Sequence, residues 1–471
     1  MNRNKLILCL ALVLMVILVV ALIGQVRRVQ KQWRSTVRIV PAESKLRQDV
    51  PLNELDPDSQ RSSVRPDVLV KFRAGVSEDV INQITSRFND RIQDEIEAAP
   101  GLTAIDDPDN MDPATIAAQY QALPEVEYAE PNYEISLDEP ASDTSQAQVK
   151  NPQFEEQWAL SNDGRRGGKK GADISVKQAW ATTKGSGEIV VAILDSGVES
   201  THADLVNNIW TRPANVNPYQ DRDLGTVDDV HGYNAIENNG EPTDENGHGT
   251  NCAGIIGAEC GNNLGVCGTN WKTQIMSVKV LNAGGFGTVL GAVEAINYAI
   301  DRKHAGVNLR LIVVSWVLTQ KSRALEDLIR KAAGAGILFV AASGSSSADN
   351  DARPQYPANY DIGNIISVAA TDRNDELGSF SNYGLRSVQI AAPGKDILTT
   401  ALGNEYEQRS GTSMAAAVVA GVAALTLSAH PDLSVDQLRS LLLKSVDKLP
   451  GLRGKISAGG RINAARAVAG K

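Results

Sequence analysis

The chain has 471 residues, 42% hydrophobic and 22% charged, which is a globular composition long enough for more than one folded unit and for one sizeable core. Its formal net charge of −10 supplies no electrostatic footprint for nucleic acid and excludes that class of partner. The cysteines, Cys9, Cys252, Cys260 and Cys267, show no zinc-ligand spacing with histidine.

Residues 6–23 form an uninterrupted apolar run preceded by Arg3 and Lys5, the pattern of an export signal. The run is long enough to span a bilayer, and Leu22-Ile23-Gly24 is a weak cleavage site. Arg27, Arg28, Lys31 and Arg34 follow and oppose simple insertion with the N-terminus inside. Residues 1–24 therefore read as a signal peptide or a membrane anchor, with both open. Residues 25–64 are polar and aperiodic, a linker.

A small unit is expected over 65–137. Residues 68–72 are strand-like, Ser77 can cap a helix with Val80, Ile81, Ile84 and Phe88 on one face, a second helix is expected over 113–122, and 126–133 alternates like a strand. The order β-α-β-α-β describes an α+β sandwich. Residues 138–152 then read as an exposed linker open to proteolysis.

From 153 onward, short β-branched runs at 189–194, 311–314, 337–341 and 365–369 alternate with helical patterns at 292–302, 325–333, 413–429 and 434–445. Apolar strands joined by helical crossovers predict an α/β domain with a mostly parallel sheet covered on both faces. Chemistry in such sheets sits at the carboxyl ends of the strands. The helix expected from Ser413 is apolar all round and so belongs in the interior. Its serine lies at the N-terminal, positive end, as either a helix cap or a nucleophile for acyl transfer. Asp195 directly follows the 189–194 strand, and His248 stands between Gly247 and Gly249 before another apolar segment. A serine needs a base to take its proton, and that imidazole needs a carboxylate to fix its tautomer.

The order Asp195, His248, Ser413 and the surrounding motifs resemble those of the subtilisin-like serine endopeptidases. The motifs are Asp195-Ser196-Gly197-Val198 with His202, Asp204 and Leu205, then His248-Gly249-Thr250, then Gly411-Thr412-Ser413-Met414-Ala415-Ala416, with Tyr356-Pro357-Ala358 and Ala392-Pro393-Gly394 as further landmarks. The resemblance covers 153–471 and implies a three-layer subtilisin-like fold. The 65–137 unit resembles the family's ferredoxin-like inhibitory propeptide, with residues 124–132 like its C-terminal strand.

The resemblance implies an exported, self-processing serine endopeptidase with polypeptide substrates and its own propeptide as intramolecular inhibitor, secreted or held on the membrane outside the cytoplasm. Ser413 would be the nucleophile, His248 the base and then the acid, and Asp195 the orienter. Substrate would be added as a strand between Gly284, Gly285 and Phe286 on one side and Ser315, Trp316 and Val317 on the other. Trp316 and Val317 are unusual for the family and either narrow this groove or, for Trp316, pack at the strand end. The backbone N–H of Ser413 would be one oxyanion donor. The aligned asparagine of the second is replaced by Ser345, which would donate directly or through water, or else Asn350 would swing in as the donor. That replacement motivates the alternative of a catalytically weakened peptide-binding protein. Asn251 stands where a second histidine is common and Ala417 where a proline is usual. A structural calcium ion is implied at Asp204, Asn262 and the carbonyls of Cys260, Leu264 and Val266. A Cys260–Cys267 disulfide, which needs an oxidising compartment, would stiffen that loop. Asp221, Asp223, Asp228 and Asp229 read as a second, solvated acidic loop.

Overall fold

A computed structural model describes residues 67–139, 154–165 and 167–470. The apolar run at 6–23, the 25–64 linker and residues 140–152 lie outside the described residues.

The first sheet is built from β1 (Val68–Phe72), β2 (Arg91–Glu95), β3 (Leu102–Asp106) and β4 (Val126–Pro131), with helices α1 (Glu78–Phe88) and α2 (Pro113–Gln121). The strand order β2-β3-β1-β4, all antiparallel, is the split βαβ arrangement of ferredoxin-like units. Ser77 caps α1 and Asp112 caps α2, each accepting from a backbone N–H of the first turn. Two strands stand between the helices where the residue pattern predicted one. The sequence of β2, Arg-Ile-Gln-Asp-Glu, carries too little apolar alternation to announce a strand, and its pairing with β3 supplies the order. One face of the sheet packs Val68, Val70 and Phe72 against Ile81, Ile116 and Tyr120 of the helices. The opposite face turns Leu69, Leu102, Ala104 and Tyr128 onto the larger unit. A short strand β5 (Glu134–Leu137) follows.

The larger unit contains β6 (Gly185–Asp195), β7 (Gly232–Asn234), α3 (His248–Gly257), β8 (Lys272–Lys279), β9 (Phe286–Thr288), α4 (Val289–His304), β10 (Leu309–Val314), β11 (Trp316–Val317), α5 (Arg323–Gly334), β12 (Leu338–Ala342), β13 (Ile365–Thr371), β14 (Ile390–Pro393), β15 (Ile397–Ala401), β16 (Glu405–Arg409), α6 (Thr412–Ala429), α7 (Val435–Lys444), β17 (Val446–Lys448) and β18 (Gly460–Ile462). Its sheet runs β17-β18-β14-β13-β12-β10-β6-β8-β7 and is parallel except for the β17–β18 pair. Side chains alternate across it. Val191, Ile193, Leu311, Val313 and Val340 face α3 and α6, while Ala192, Leu194, Ile312, Val314 and Phe339 face α4 and α5. Both faces are covered, so both sets of residues are apolar.

Helix α6 crosses the middle of this sheet, packing on β6, β10, β12, β13 and β14. Each of its fully buried Val and Leu side chains contributes roughly 1.5–3 kcal/mol. Gly421 sits where a Cβ would come within 2.7 Å of Thr269, so a side chain there would push the helix off its neighbour. α6 is long and apolar enough to cross a membrane, but its burial makes it the central core helix.

Candidate active site

Strand β6, an inner strand of the sheet, ends at Asp195 at the sheet's carboxyl edge. Helix α3 starts at His248 and packs against α6, whose second residue is Ser413. All three side chains are nearly enclosed, with Ser413 6% exposed and Asp195 fully buried. His248 Nδ1 lies 2.8 Å from Asp195 Oδ1 and 3.0 Å from Oδ2. Its Nε2 is buried and makes no hydrogen bond. Burial pushes the imidazole pKa down, but the charge and hydrogen bond of Asp195, with Glu139 adding, outweigh it, and the net shift is upward.

A frame of polar groups centred on Asp244, which the sequence did not single out, holds this pair. Asp244 accepts from Ser196 Oγ at 2.9 Å, from the Gly247 N–H at 2.8 Å and from both N–H and hydroxyl of Thr250. Ser196 Oγ accepts in turn from the Gly249 N–H. The signal was present as an aspartate shortly before a helix start, which is how N-terminal N–H groups are commonly satisfied.

Strand β5 occupies the cleft. It pairs antiparallel with β9, Phe286 opposite Ser136 and Gly287 opposite Ile135, and with β11, Trp316 opposite Leu137 and Val317 opposite Ser136. The Leu137 N–H donates to the Gly285 carbonyl at 3.0 Å. Of the residues predicted to flank a substrate strand, Gly285, Phe286, Trp316 and Val317 lie against β5. Gly284 instead forms the turn, donating its N–H to Asn282 Oδ1. Ser315 follows as the next position opposite Asp138, with Cys252 Sγ 3.7 Å from its hydroxyl. Trp316 does not narrow the groove. Its indole is fully buried, with Nε1 donating to the Leu194 carbonyl at 3.0 Å, so the ring packs at the strand end.

Around Ser345, the backbone N–H donates to the Asp138 carboxylate. Ser345 Oγ accepts from the Thr412 N–H at 3.2 Å and lies 3.2 Å from Thr412 Oγ1, which itself accepts from the Gly344 N–H. Asn350 is not a substitute donor. It is fully buried, donates to the Ser343 carbonyl at 2.8 Å and accepts from Asn382.

The calcium set does not fit an ion as it is arranged. Asp204 Oδ1 accepts from Asn262 Nδ2 at 2.7 Å and Oδ2 accepts from the Val266 N–H at 2.9 Å, with the Tyr406 hydroxyl against the same carboxylate. Asn262 Oδ1 is taken by the Leu264 N–H. Calcium needs oxygens converging on it, whereas here N–H and O–H donors already saturate the carboxylate. Cys260 and Cys267 are joined as a disulfide and close the loop that carries these donors. Of the second acidic loop, Asp229 is buried against Arg212, Arg302 and Tyr298, and Asp221 is buried near the first unit, so neither is solvated.

A model of the subtilase family matches residues 186–459, and one of the fervidolysin N-terminal prodomain matches 52–132. The chain belongs to the subtilase family. As a subtilase it is a serine-type endopeptidase acting on peptides, and its first sheet belongs to an inhibitory prodomain. Among its relatives, a thermophilic serine proteinase of Bacillus sp. (strain AK1) is 32% identical over 84% of this chain and 88% of the relative. Thermitase of Thermoactinomyces vulgaris is 38% identical over 63% of this chain and 93% of its own length. Subtilisin-like protease 1 of Plasmodium berghei (strain Anka) is 31% identical over 63% of this chain and 52% of its own.

In this subtilase the prodomain grips its partner at two helix starts. Glu130 accepts from Ser322 Oγ and from the N–H groups of Arg323 and Ala324, at the positive end of α5. Asn132 Oδ1 accepts from the Leu290 N–H at the start of α4.

Proposed function

We propose that this subtilase is an exported zymogen that cuts its own prosegment and then other polypeptides through Ser413, His248 and Asp195. The observation carrying the reading is the imidazole held on Asp195 through Nδ1 with its buried Nε2 unspent. That bond fixes the tautomer in which Nε2 accepts a proton. Ser413 Oγ gives its proton to Nε2 and attacks the peptide carbonyl. His248 returns the proton to the leaving amine, and water repeats the sequence on the acyl-enzyme. Asp195 orients and stabilises the imidazolium.

The β5 register supports self-processing at one bond. With Leu137 opposite Trp316, Asp138 comes opposite Ser315 and beside Ser345, which is hydrogen-bonded to the residue before Ser413. The Asp138–Glu139 bond is therefore the scissile one. The domain division follows: inhibitor over 65–137, processing segment from 138 to 152, peptidase from 153, with residues up to Asp138 left in the cleft as product. The oxyanion would be met by the Ser413 N–H and by one hydroxyl. Ser345 and Thr412 bring two hydroxyl protons; their mutual contact uses one and leaves the other to donate. The Asp195–His248 pair together with this remaining donor supports the enzyme over the peptide-binding alternative.

The apolar run at 6–23 and the Cys260–Cys267 disulfide support a peptidase domain outside the cytoplasm, secreted or anchored by that run. The test is the mass of the expressed chain. Wild type should lose ~15 kDa from its N-terminus, an estimate from ordinary residue mass, and Ser413→Ala should stay full length. A full-length wild type that no fluorophosphonate labels would end the proposal.

A further inference from the structure

Asn251 and Arg409 bear on substrate choice. Arg409 closes β16, one strand end from Ser410 and the α6 start, and is 7% exposed. Its Nε donates to Asn251 Oδ1 at 3.0 Å and lies 3.1 Å from Glu407 Oε1. Asn251 is itself held by donating to the Thr400 carbonyl at 2.7 Å and to Glu407 Oε1 at 2.9 Å. Asn251 thus stands in α3, three residues after His248, as the clamp that sets the guanidinium. A histidine at 251 has no amide with which to accept from Arg409 while donating twice.

The clamp uses one edge of the guanidinium. Nη1 is buried and makes no hydrogen bond, and the group it faces is the carboxylate of Glu139, 3.6 Å from Oε1. A guanidinium does not give up its proton at any ordinary pH, so once residue 139 leaves the cleft a buried donor with a charge is left facing the space it occupied. Arg409 and Glu139 shift the His248 pKa in opposite directions, which sets both beside the imidazole that handles the leaving amine.

Resting on the self-processing reading above, we infer that Arg409, positioned by Asn251 and Glu407, makes this subtilase select substrates with an acidic side chain directly after the scissile bond. Glu139 is the first such side chain the site meets. A glutamate there completes the guanidinium with a charge-assisted bond, a glutamine offers only a neutral oxygen, and a lysine meets a like charge. Glu407 already balances part of the Arg409 charge, so the selection comes from the directional bond at Nη1 more than from long-range attraction.

The test uses the matured wild-type enzyme and quenched peptides Glu-Ile-Ser-Leu-Asp-Xaa, in which Xaa is Glu, Gln or Lys, with products identified by mass spectrometry. kcat/KM should be about tenfold higher for Glu than for Gln, and lower again for Lys. Arg409→Met should bring the Glu-to-Gln ratio near one, and Arg409→Glu should put Lys above Glu. If neither variant matures, the wild-type series alone decides. Equal rates for Glu and Gln, cleavage at another bond, or a Glu preference that persists in Arg409→Met would overturn the inference while leaving the protease reading intact. No cleavage of any peptide together with no fluorophosphonate labelling of Ser413 would overturn both.

Discussion

The prodomain should be released as pH rises, because its contact with α4 is built from carboxyl groups facing one another. Asp94 of β2 meets Glu294 of α4 and Asp223, with Asp221 and Glu97 around them. Burial first, then these like charges, pushes the Asp94 carboxyl up to about 8, and burial with Asp94 holds Glu294 well above the ordinary range. Glu294 is 3% exposed and its Oε1 finds no partner. The Asp94 carboxyl of the freed prodomain faces water, where an aspartate titrates near 3.9. The complex therefore holds protons that the separated parts shed. Below the free value both states are protonated and nothing is gained or lost. Between there and about 8 the complex weakens as pH rises, by up to about 1.4 kcal/mol per pH unit for each such proton. From pH 6 to pH 8 the Asp94 proton alone gives roughly a 50-fold rise in the prodomain Kd. The assay is the inhibition constant of the cleaved prodomain, read from the onset of activity after processing. Asp94→Asn should remove about one proton from the pH slope and lengthen the lag at pH 8. An unchanged slope, or release favoured by acid, would refute this account of the interface.

Three other outcomes follow from the site. Ser345→Asn should raise kcat, by up to roughly 10²–10³, the loss known for removing this donor in a subtilisin; no rise would mean that the Ser345–Thr412 pair already supplies the second donor in full. Asp204→Asn should leave the effect of a chelator on Tm the same as in wild type, since Asn262, Val266 and Tyr406 already fill that carboxylate; a chelator effect present only in wild type would restore a calcium ion there. Glu130→Gln should weaken prodomain binding by about 1–3 kcal/mol, because a charge accepting three hydrogen bonds at the α5 start is lost; the inhibition constant of the variant prodomain checks it.

The α/β class was legible because its causes are local. Continuous apolar strands, an all-apolar helix after Ser413, and the N-terminal cap of α1 all lie within a few residues of their effects. The chemistry of the site was legible for a similar reason: a nucleophile, a base and a carboxylate each sit in a short, unusual setting.

What surrounds the triad residues was decided by tertiary structure, because a polar side chain's role depends on the partner it is buried with. Asn251 and Arg409 are 158 residues apart, and each is an ordinary surface residue until β16 is laid beside α3. Trp316 looked like an obstruction until the Leu194 carbonyl took its N–H. Asp204 looked like a ligand until three donors closed on it. Asp94, Asp221 and Glu294 would be solvated acids on separate segments; only the docking of the prodomain on α4 removes their water and raises their proton affinity. The chain on its own specifies which groups are present and which elements carry them. Burial and long-range pairing decide which stay charged, which are satisfied, and which are left facing the cleft.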